Sequence, residues 1–325
     1  MKKVLGICLF CLILVGCTSS QPTPDVNLTP TDPITISPSP EPTTAPTELP
    51  PTSTQGILPN QAPYYYVDYV LPGADPQPFG AEFFSGSFHS APVFSPDMQT
   101  MWWAGSYGSA TIYTSHFEDE TWSEPVTVQF SDTLHQYRDP FISPDGQLFF
   151  FISPDPIPGL SGTGKENIWM MVKDGDGWSE PQPLPQSINA LSLHWTISVD
   201  EAYTLYFSAG EQGNMDIYVS RYIDGTYADP VPLDPTVNSE AMEITPNIAP
   251  DGSYLIYSRY TSQDENALMY ISYATDTGWT EPVQVNNVPY CISPIVTPDG
   301  AFVIYLSSPS SFGWRDTSFI EELRP

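Results

Sequence analysis

Basic residues are scarce in this chain. Its 325 residues include nine lysines and arginines against 38 aspartates and glutamates, which gives a formal net charge of −29 at pH 7. A surface this acidic repels the phosphates of nucleic acids and anionic lipid headgroups. We therefore exclude DNA and RNA as partners and expect the acidity to serve solubility outside the cell.

Cysteine is also rare, and its four positions allow no disulfide in the folded part. Cys8 and Cys11 lie in an apolar N-terminal run, Cys17 ends that run, and only Cys291 remains beyond it. The fold must therefore be held by its core, even in an oxidising compartment. Cys291 occupies a repeat position, which predicts a buried structural thiol.

Several catalytic and cofactor motifs are missing as well. The chain has no Gly-x-Ser-x-Gly elbow, no phosphate-binding loop and no paired-cysteine motif. Two acidic loops, Asp174-Gly-Asp176-Gly and Asp264-Glu265-Asn266, offer oxygen donors but lack the full spacing of a calcium loop. We predict no cofactor, with calcium as the alternative.

The N-terminus predicts a membrane anchor. Lys2 and Lys3 precede an apolar run, Val4 to Val15, that ends in Gly16-Cys17 and resembles a bacterial lipobox. This resemblance implies a signal peptide over residues 1–16 and lipid on Cys17, facing the extracytoplasmic side of a bacterial membrane. An ordinary signal peptide is the alternative. Residues 17–60 are rich in Pro, Thr and Ser, which predicts a disordered stalk before a folded domain at 61–325.

Two markers repeat along the folded part with a period of about 50 residues, which indicates a repeat architecture. The first marker is a turn, found at Ser95-Pro-Asp97, Ser143-Pro-Asp-Gly146, Ser198-Val-Asp200, Ala249-Pro-Asp-Gly252 and Thr297-Pro-Asp-Gly300. The second marker is an aromatic residue followed two positions later by an acid and then proline. The second is found at Trp122–Pro125, Trp178–Pro181, Tyr227–Pro230 and Trp279–Pro282.

Each repeat predicts four antiparallel strands. In the fourth copy these are a run before the turn, then 253–258, 267–273 and 279–285, a pattern typical of a propeller blade. The fifth copy has a predicted third strand at 312–320 but no fourth. Residues 76–84 are expected to supply that strand and close the ring. The sequence thus predicts an all-β, five-bladed propeller; six blades, the alternative, would need four strands from residues 60–75.

These turns and aromatic strands resemble the TolB-type, WD40-like propeller repeat family over residues 70–325. Two further segments resemble its small lipoprotein members, Pro72-Gly-Ala-Asp-Pro76-Gln-Pro-Phe79 and the Phe319–Leu323 ending. The resemblance implies the propeller fold and leaves function open, because one fold supports many functions. The third repeat departs from the pattern, with Val199 in place of proline and Glu201 in place of glycine.

The start of each innermost strand should face the central channel. Counting back from each turn gives a candidate ligand-binding set at the channel mouth: His89, Tyr137, Arg138, Asp139, His194 and Glu243. Arg138 is expected to pair with Asp139 or Glu243. A purely structural role, in which these groups satisfy one another, is the alternative.

We therefore predict a monomeric, membrane-anchored binding or scaffold module for a protein or a cell-envelope glycan. One alternative is a carbohydrate-active hydrolase or lyase at the channel mouth. The candidate set offers too few carboxylates to favour it, and no catalytic residue is assigned. A structural surface lipoprotein without a site is the further alternative.

Overall fold

The computed structural model describes residues 66–67, 70–105, 111–157, 159–160, 166–211, 213–260 and 266–325. These residues belong to one compact unit, Gln55–Pro325. The predicted signal peptide, the stalk and Cys17 lie outside the described residues. Within the described ranges, no helix combines the length and the apolar character that crossing a bilayer requires.

Five antiparallel sheets form five blades, so the predicted all-β propeller and its blade count are confirmed. The first and second blades each have five strands, of which the last two are short. Blade 1 follows an N-terminal strand, β1 (Gln77–Phe79), and contains β2 (Val93–Phe94), β3 (Thr100–Ala104), β4 (Ile112–Glu118), β5 (Thr121–Trp122) and β6 (Val126–Thr127). Blade 2 contains β7 (Arg138–Ile142), β8 (Leu148–Ser153), β9 (Asn167–Asp174), β10 (Gly177–Trp178) and β11 (Gln182–Pro183).

The third and fourth blades repeat this plan. The helix α1 (Gln186–Asn189) precedes blade 3, which contains β12 (His194–Val199), β13 (Leu205–Glu211), β14 (Asn214–Ser220), β15 (Tyr222–Ile223), β16 (Thr226–Tyr227) and β17 (Val231–Pro232). Blade 4 contains β18 (Met242–Ile248), β19 (Tyr254–Tyr260), β20 (Leu268–Thr275), β21 (Gly278–Trp279) and β22 (Val283–Gln284). The single fourth strand predicted at 279–285 is therefore two pieces. The break falls at Pro282, which has no N–H to donate to a ladder.

The fifth blade closes the ring with the N-terminal strand. It contains β23 (Ile292–Val296), β24 (Phe302–Ser308), β25 (Ser311–Asp316) and, as its fourth strand, β1. Gln77 pairs with Trp314, and Phe79 pairs with Phe312. The closure predicted for residues 76–84 is confirmed at Gln77–Phe79. The strand predicted at 312–320 ends at Asp316, and a short helix, α2 (Ser318–Glu322), follows it.

Aromatic side chains pack the junction between the fifth and first blades. Phe79 is buried, with its ring 5.1 Å from that of Trp314. Tyr66 is also buried, 5.1 Å from Phe302 and 6.3 Å from Phe94 between ring centroids. Its hydroxyl donates to a carboxylate oxygen of Asp299 at 2.7 Å. Aromatic edge-to-face contacts of this kind add to the free energy gained by burial alone.

The repeated aromatic residue of the second marker is also part of the core. Tyr227 is buried and contacts Phe150 of the preceding blade, with ring centroids 6.3 Å apart. Trp178 packs against Phe149, with ring centroids 5.3 Å apart. The marker is therefore a packing element rather than a row of exposed stacking platforms.

The turns that head the blades use one hydrogen-bond pattern. In the second copy, the Ser143 hydroxyl donates to Asp145 at 2.6 Å and accepts from the Leu148 N–H at 2.9 Å. Gly146 takes the left-handed corner with φ of 71°, which glycine adopts without steric cost.

In the third copy the turn lies two residues later than the sequence predicted. Asp200 takes the place of the serine and accepts the Thr204 N–H at 2.7 Å, and Tyr203 takes the left-handed corner with φ of 58°. The third turn is therefore Asp200–Tyr203 rather than Ser198-Val199-Asp200. An aspartate carboxylate can accept the same turn N–H as a serine hydroxyl, so the register slips without loss of the turn.

The innermost strands of blades 2 to 5 each carry a β-bulge. The ladder between first and second strands shifts there, and the bulged residue has a positive φ. A bulge bends its strand and redirects one side chain. The bulged residues are Asp139 (45°), Thr196 (43°), Thr245 (56°) and Ser293 (54°).

These bulges make a ring of hydrogen bonds around the channel. The Thr196 N–H donates to Asp139 at 3.4 Å, and the Thr245 N–H donates to the Ser208 hydroxyl at 3.3 Å. The Ser293 N–H donates to the Thr245 hydroxyl at 3.1 Å, and the Ala91 N–H donates to the Ser293 hydroxyl at 3.2 Å. Each bond joins one blade to the next. We call the end of the ring where the innermost strands begin the mouth face, and the opposite end, with the five turns, the turn face.

Candidate functional site

The mouth face brings four ionisable side chains together between the first two blades. His89 lies just before β2, Arg138 and Asp139 begin β7, and Glu166 lies just before β9. His89, Arg138 and Asp139 were predicted from the sequence as a candidate set, and Glu166 was not. We call these four residues the mouth cluster.

His89 and Asp139 form one pair within the mouth cluster. Nδ1 of His89 lies 2.7 Å from Oδ1 of Asp139, and their side chains are 10% and 1% exposed. Burial opposes protonation of the imidazole, but the adjacent carboxylate outweighs it, so the pKa of His89 is raised above its ordinary value. Because the histidine belongs to blade 1 and the aspartate to blade 2, the pair ties two blades together.

Arg138 and Glu166 form the second pair. A guanidinium N–H of Arg138 donates to Oε1 of Glu166, rather than to Asp139 or Glu243 as expected. Burial and the nearby charge of Asp139 raise the pKa of Glu166, against the effect of Arg138. The sequence signal for Glu166 is only its position before a third strand, and that gives no indication of a partner 28 residues away.

The other three predicted residues lie in the protein framework. The Tyr137 hydroxyl donates to the Leu134 carbonyl at 2.9 Å, within its own loop. His194 is buried, with Nδ1 2.5 Å from the carbonyl oxygen of Glu166, and burial lowers its pKa. Glu243 is fully buried and accepts from Nε of Arg259 at 2.8 Å.

A small cavity opens at the mouth face beside the mouth cluster. Its volume is about 40 Å³, which is room for about two or three water molecules. Its walls combine the charged pair from blades 1 and 2 with aromatic, hydroxyl and aliphatic side chains from the next three blades. The lining residues are His89, Asp139, Trp195, Thr196, Thr245 and Ile292.

The lining contains a single carboxylate, and that carboxylate is already hydrogen-bonded to His89. A glycosidase site needs two carboxyl groups that face one substrate. Among the residues that the structure describes, no group of three or more His, Cys, Asp or Glu side chains is placed to hold a metal ion. Of the two acidic loops, Asp174 to Asp176 lies at the hairpin between β9 and β10, while Asp264 and Glu265 lie outside the described residues.

No family model matches the chain, and no curated protein matches it. Solved structures that resemble it include a protein described as TolB from Agrobacterium tumefaciens, with 16% identity, 67% of this chain and 69% of that chain covered, and a TM-score of 0.49. TolB from Acinetobacter baumannii has 15% identity, coverage of 69% and 53%, and a TM-score of 0.45. An endo-arabinase from Bacteroides thetaiotaomicron has 12% identity, coverage of 75% and 95%, and a TM-score of 0.47. All three TM-scores are below 0.5, so the blade count depends on the strand pairing given above.

Proposed function

We propose that this protein is an extracytoplasmic binding module whose mouth face engages a protein or envelope glycan. The observation that carries the proposal is the accessible aromatic side chain of Tyr260 on this face. The ionisable groups beside the cavity are instead paired within the protein, which disfavours acid–base catalysis there. His89 pairs with Asp139, Arg138 with Glu166, and Glu243 with Arg259. Groups held in this way shape a rigid surface, whereas general acid–base catalysis needs a group placed to exchange a proton with a substrate.

The position of the mouth face supports the same proposal. Loops at the ends of propeller strands carry binding residues on a rigid scaffold. Tyr260, at the mouth end of β19, is 39% exposed, which makes it one of the large apolar side chains that the surface leaves accessible. Glu240, exposed just before β18, adds negative charge at the same end of blade 4. Aromatic residues at protein surfaces are enriched where partners bind.

The test compares capture from an envelope extract by the immobilised full chain and by two matched double variants. The mouth-face variant combines Tyr260→Ala with Glu240→Lys. The control combines Ile223→Ala with Asp276→Lys, an exposed apolar residue and an exposed acid on hairpins near the turn face. We expect wild type and control to retain the same partner and the mouth-face variant to lose it. Equal capture by all three proteins would remove the proposal.

We further propose that the module is held at a membrane through lipid on Cys17 as a small TolB-like lipoprotein. The sequence pattern before Cys17 supports this proposal, and diacyl attachment gives stable anchoring without a spanning helix. Cys17→Ala protein should leave the membrane fraction and appear in the soluble fraction. Retention of that variant in membranes would contradict the anchor.

A further inference from the structure

The mouth cavity has two kinds of wall. Trp195 and Ile292, both half-buried, give it an apolar side, while Asp139, Thr196 and Thr245 give it hydrogen-bonding groups. A concave site with an aromatic wall and a few convergent polar groups is the usual form of a small-molecule site. We propose that this cavity binds a hydroxyl-bearing part of a neutral sugar, an inference that rests on the proposed binding function and names its ligand class.

Thr196 is the residue that points to an occupant. It is 6% exposed, and its Oγ1 is buried with no hydrogen-bond partner among the described residues. A buried hydroxyl without a partner has lost its hydration without compensation, so a ligand that supplies the partner recovers that free energy. Thr196 lies at the β-bulge, with a φ of 43°, and lines the cavity.

The other hydroxyl in the cavity is already satisfied. Oγ1 of Thr245 lies 2.7 Å from the Ser258 hydroxyl and accepts the Ser293 N–H at 3.1 Å. Thr245 therefore belongs to the ring of hydrogen bonds that holds the blades, and Thr196 is left as the group with unused capacity. A ligand hydroxyl can both donate and accept, so it can bond Thr196 in either direction.

Charge favours a neutral ligand. The two basic side chains of the mouth cluster, His89 and Arg138, each lie beside a carboxylate, Asp139 and Glu166 respectively. An additional charge placed in so small a cavity would lose its hydration without a counter-ion of its own, which costs free energy. A hydroxyl avoids this cost and can still donate to the Asp139 carboxylate.

The size of the cavity and its aromatic wall narrow the class of ligand further. A volume of about 40 Å³ admits a few heavy atoms, so a terminal hydroxymethyl or one ring edge enters while the rest of the sugar remains at the opening. Trp195 lines the cavity, and an indole ring can pack against the carbon side of a sugar ring. The envelope glycan of the proposed function has this chemistry.

The experiment titrates glucose, glucosamine and glucuronate into the full chain labelled with 15N at tryptophan. The readout is the indole N–H signal of Trp195, assigned by its loss in Trp195→Phe. We expect glucose to shift this signal and the two charged analogues to shift it less. Thr196→Val keeps the shape of the side chain and should weaken the binding of glucose about fivefold, the loss expected for one hydrogen bond.

The matched control is Thr114→Val. Thr114 is also a buried threonine whose hydroxyl has no partner among the described residues, but it lies on β4 and does not line the cavity. This variant should bind glucose like the wild type. An unmoved Trp195 signal with all three sugars, equal binding by Thr196→Val, or tighter binding of either charged analogue would each overturn the proposed sugar site. Partner capture through Tyr260 would survive those results, so the failure of the sugar site is distinguishable from failure of the binding function.

Discussion

Replacement of Asp139 is the sharpest test of how the mouth cluster holds the ring. Its carboxylate accepts from His89 at 2.7 Å and from the Thr196 N–H at 3.4 Å, and so contacts blade 1 and blade 3 from blade 2. Asp139→Asn keeps an oxygen for the N–H and keeps a residue type that tolerates the positive φ. It removes the charge and places an NH2 group where an oxygen faced His89, and we expect it to lower the free energy of unfolding by about 2 kcal/mol, the value of a charge-assisted hydrogen bond.

Asp139→Ala removes the whole carboxyl group and should lower the free energy of unfolding further. It leaves the Thr196 N–H without an acceptor, leaves His89 buried without its partner, and places alanine at a φ of 45°. The orphaned N–H and the left-handed alanine each add about 1 kcal/mol or more. The total is about 4 kcal/mol, within the range for breaking a buried ion pair. Urea unfolding followed by tryptophan fluorescence measures both variants.

The stability difference between wild type and Asp139→Asn should also depend on pH. Because folding raises the pKa of His89, its protonation stabilises the protein fully below the unfolded value of about 6.5, and this contribution is lost as the pH rises through the folded value. The difference between wild type and Asp139→Asn should therefore be largest near pH 6 and shrink towards pH 9. A double-mutant cycle with His89→Gln should show coupling of about 1 kcal/mol or more. Additive effects, or a difference that does not change with pH, would refute the role given to the pair.

Three other predictions concern the core. Phe79→Ala should lower the free energy of unfolding in urea by about 3–5 kcal/mol, because it empties a buried site against Trp314 at the ring closure; a loss below about 1 kcal/mol would contradict that packing. Tyr66→Phe should cost about 1 kcal/mol in the same assay through its lost hydrogen bond to Asp299, and no cost would mean that the bond is absent. Burial raises the pKa of the Cys291 thiol, so it should react with a disulfide reagent only in urea; rapid reaction in the native protein would show exposure.

Features that depend on local chemistry could be predicted from the sequence. The turns and the aromatic strands recur at one period, so five blades follow, and the missing fourth strand of the last copy points to residues 76–84. The third turn was misplaced because Asp200 can perform the hydrogen bonding of either the serine or the aspartate of the pattern. Counting back from the turns reached His194 and Glu243, each two residues before a bulge, and so missed Thr196, the bulged residue at the cavity.

The pairing of charges could not be predicted in the same way. Arg138 has several acids within reach by sequence argument, and the choice of Glu166 depends on the register of both the first and the third strand of blade 2 with the second strand between them. Glu243 likewise lies opposite Arg259 on the neighbouring strand, a partner that only strand register decides. Repeats predict backbone positions well, but the side-chain partners at those positions differ from blade to blade.

The pairing of β1 with β25 also governs the order in which the protein can fold. Gln77 and Trp314 lie at opposite ends of the propeller sequence, so this contact carries one of the largest loop-closure costs in the chain and forms slowly. Until β25 is synthesised, β1 has no strand to pair with and Phe79 lacks its contact with Trp314, so the ring stays open. A chain truncated before β25 would therefore retain an exposed strand edge and exposed aromatic residues, the features that lead to aggregation.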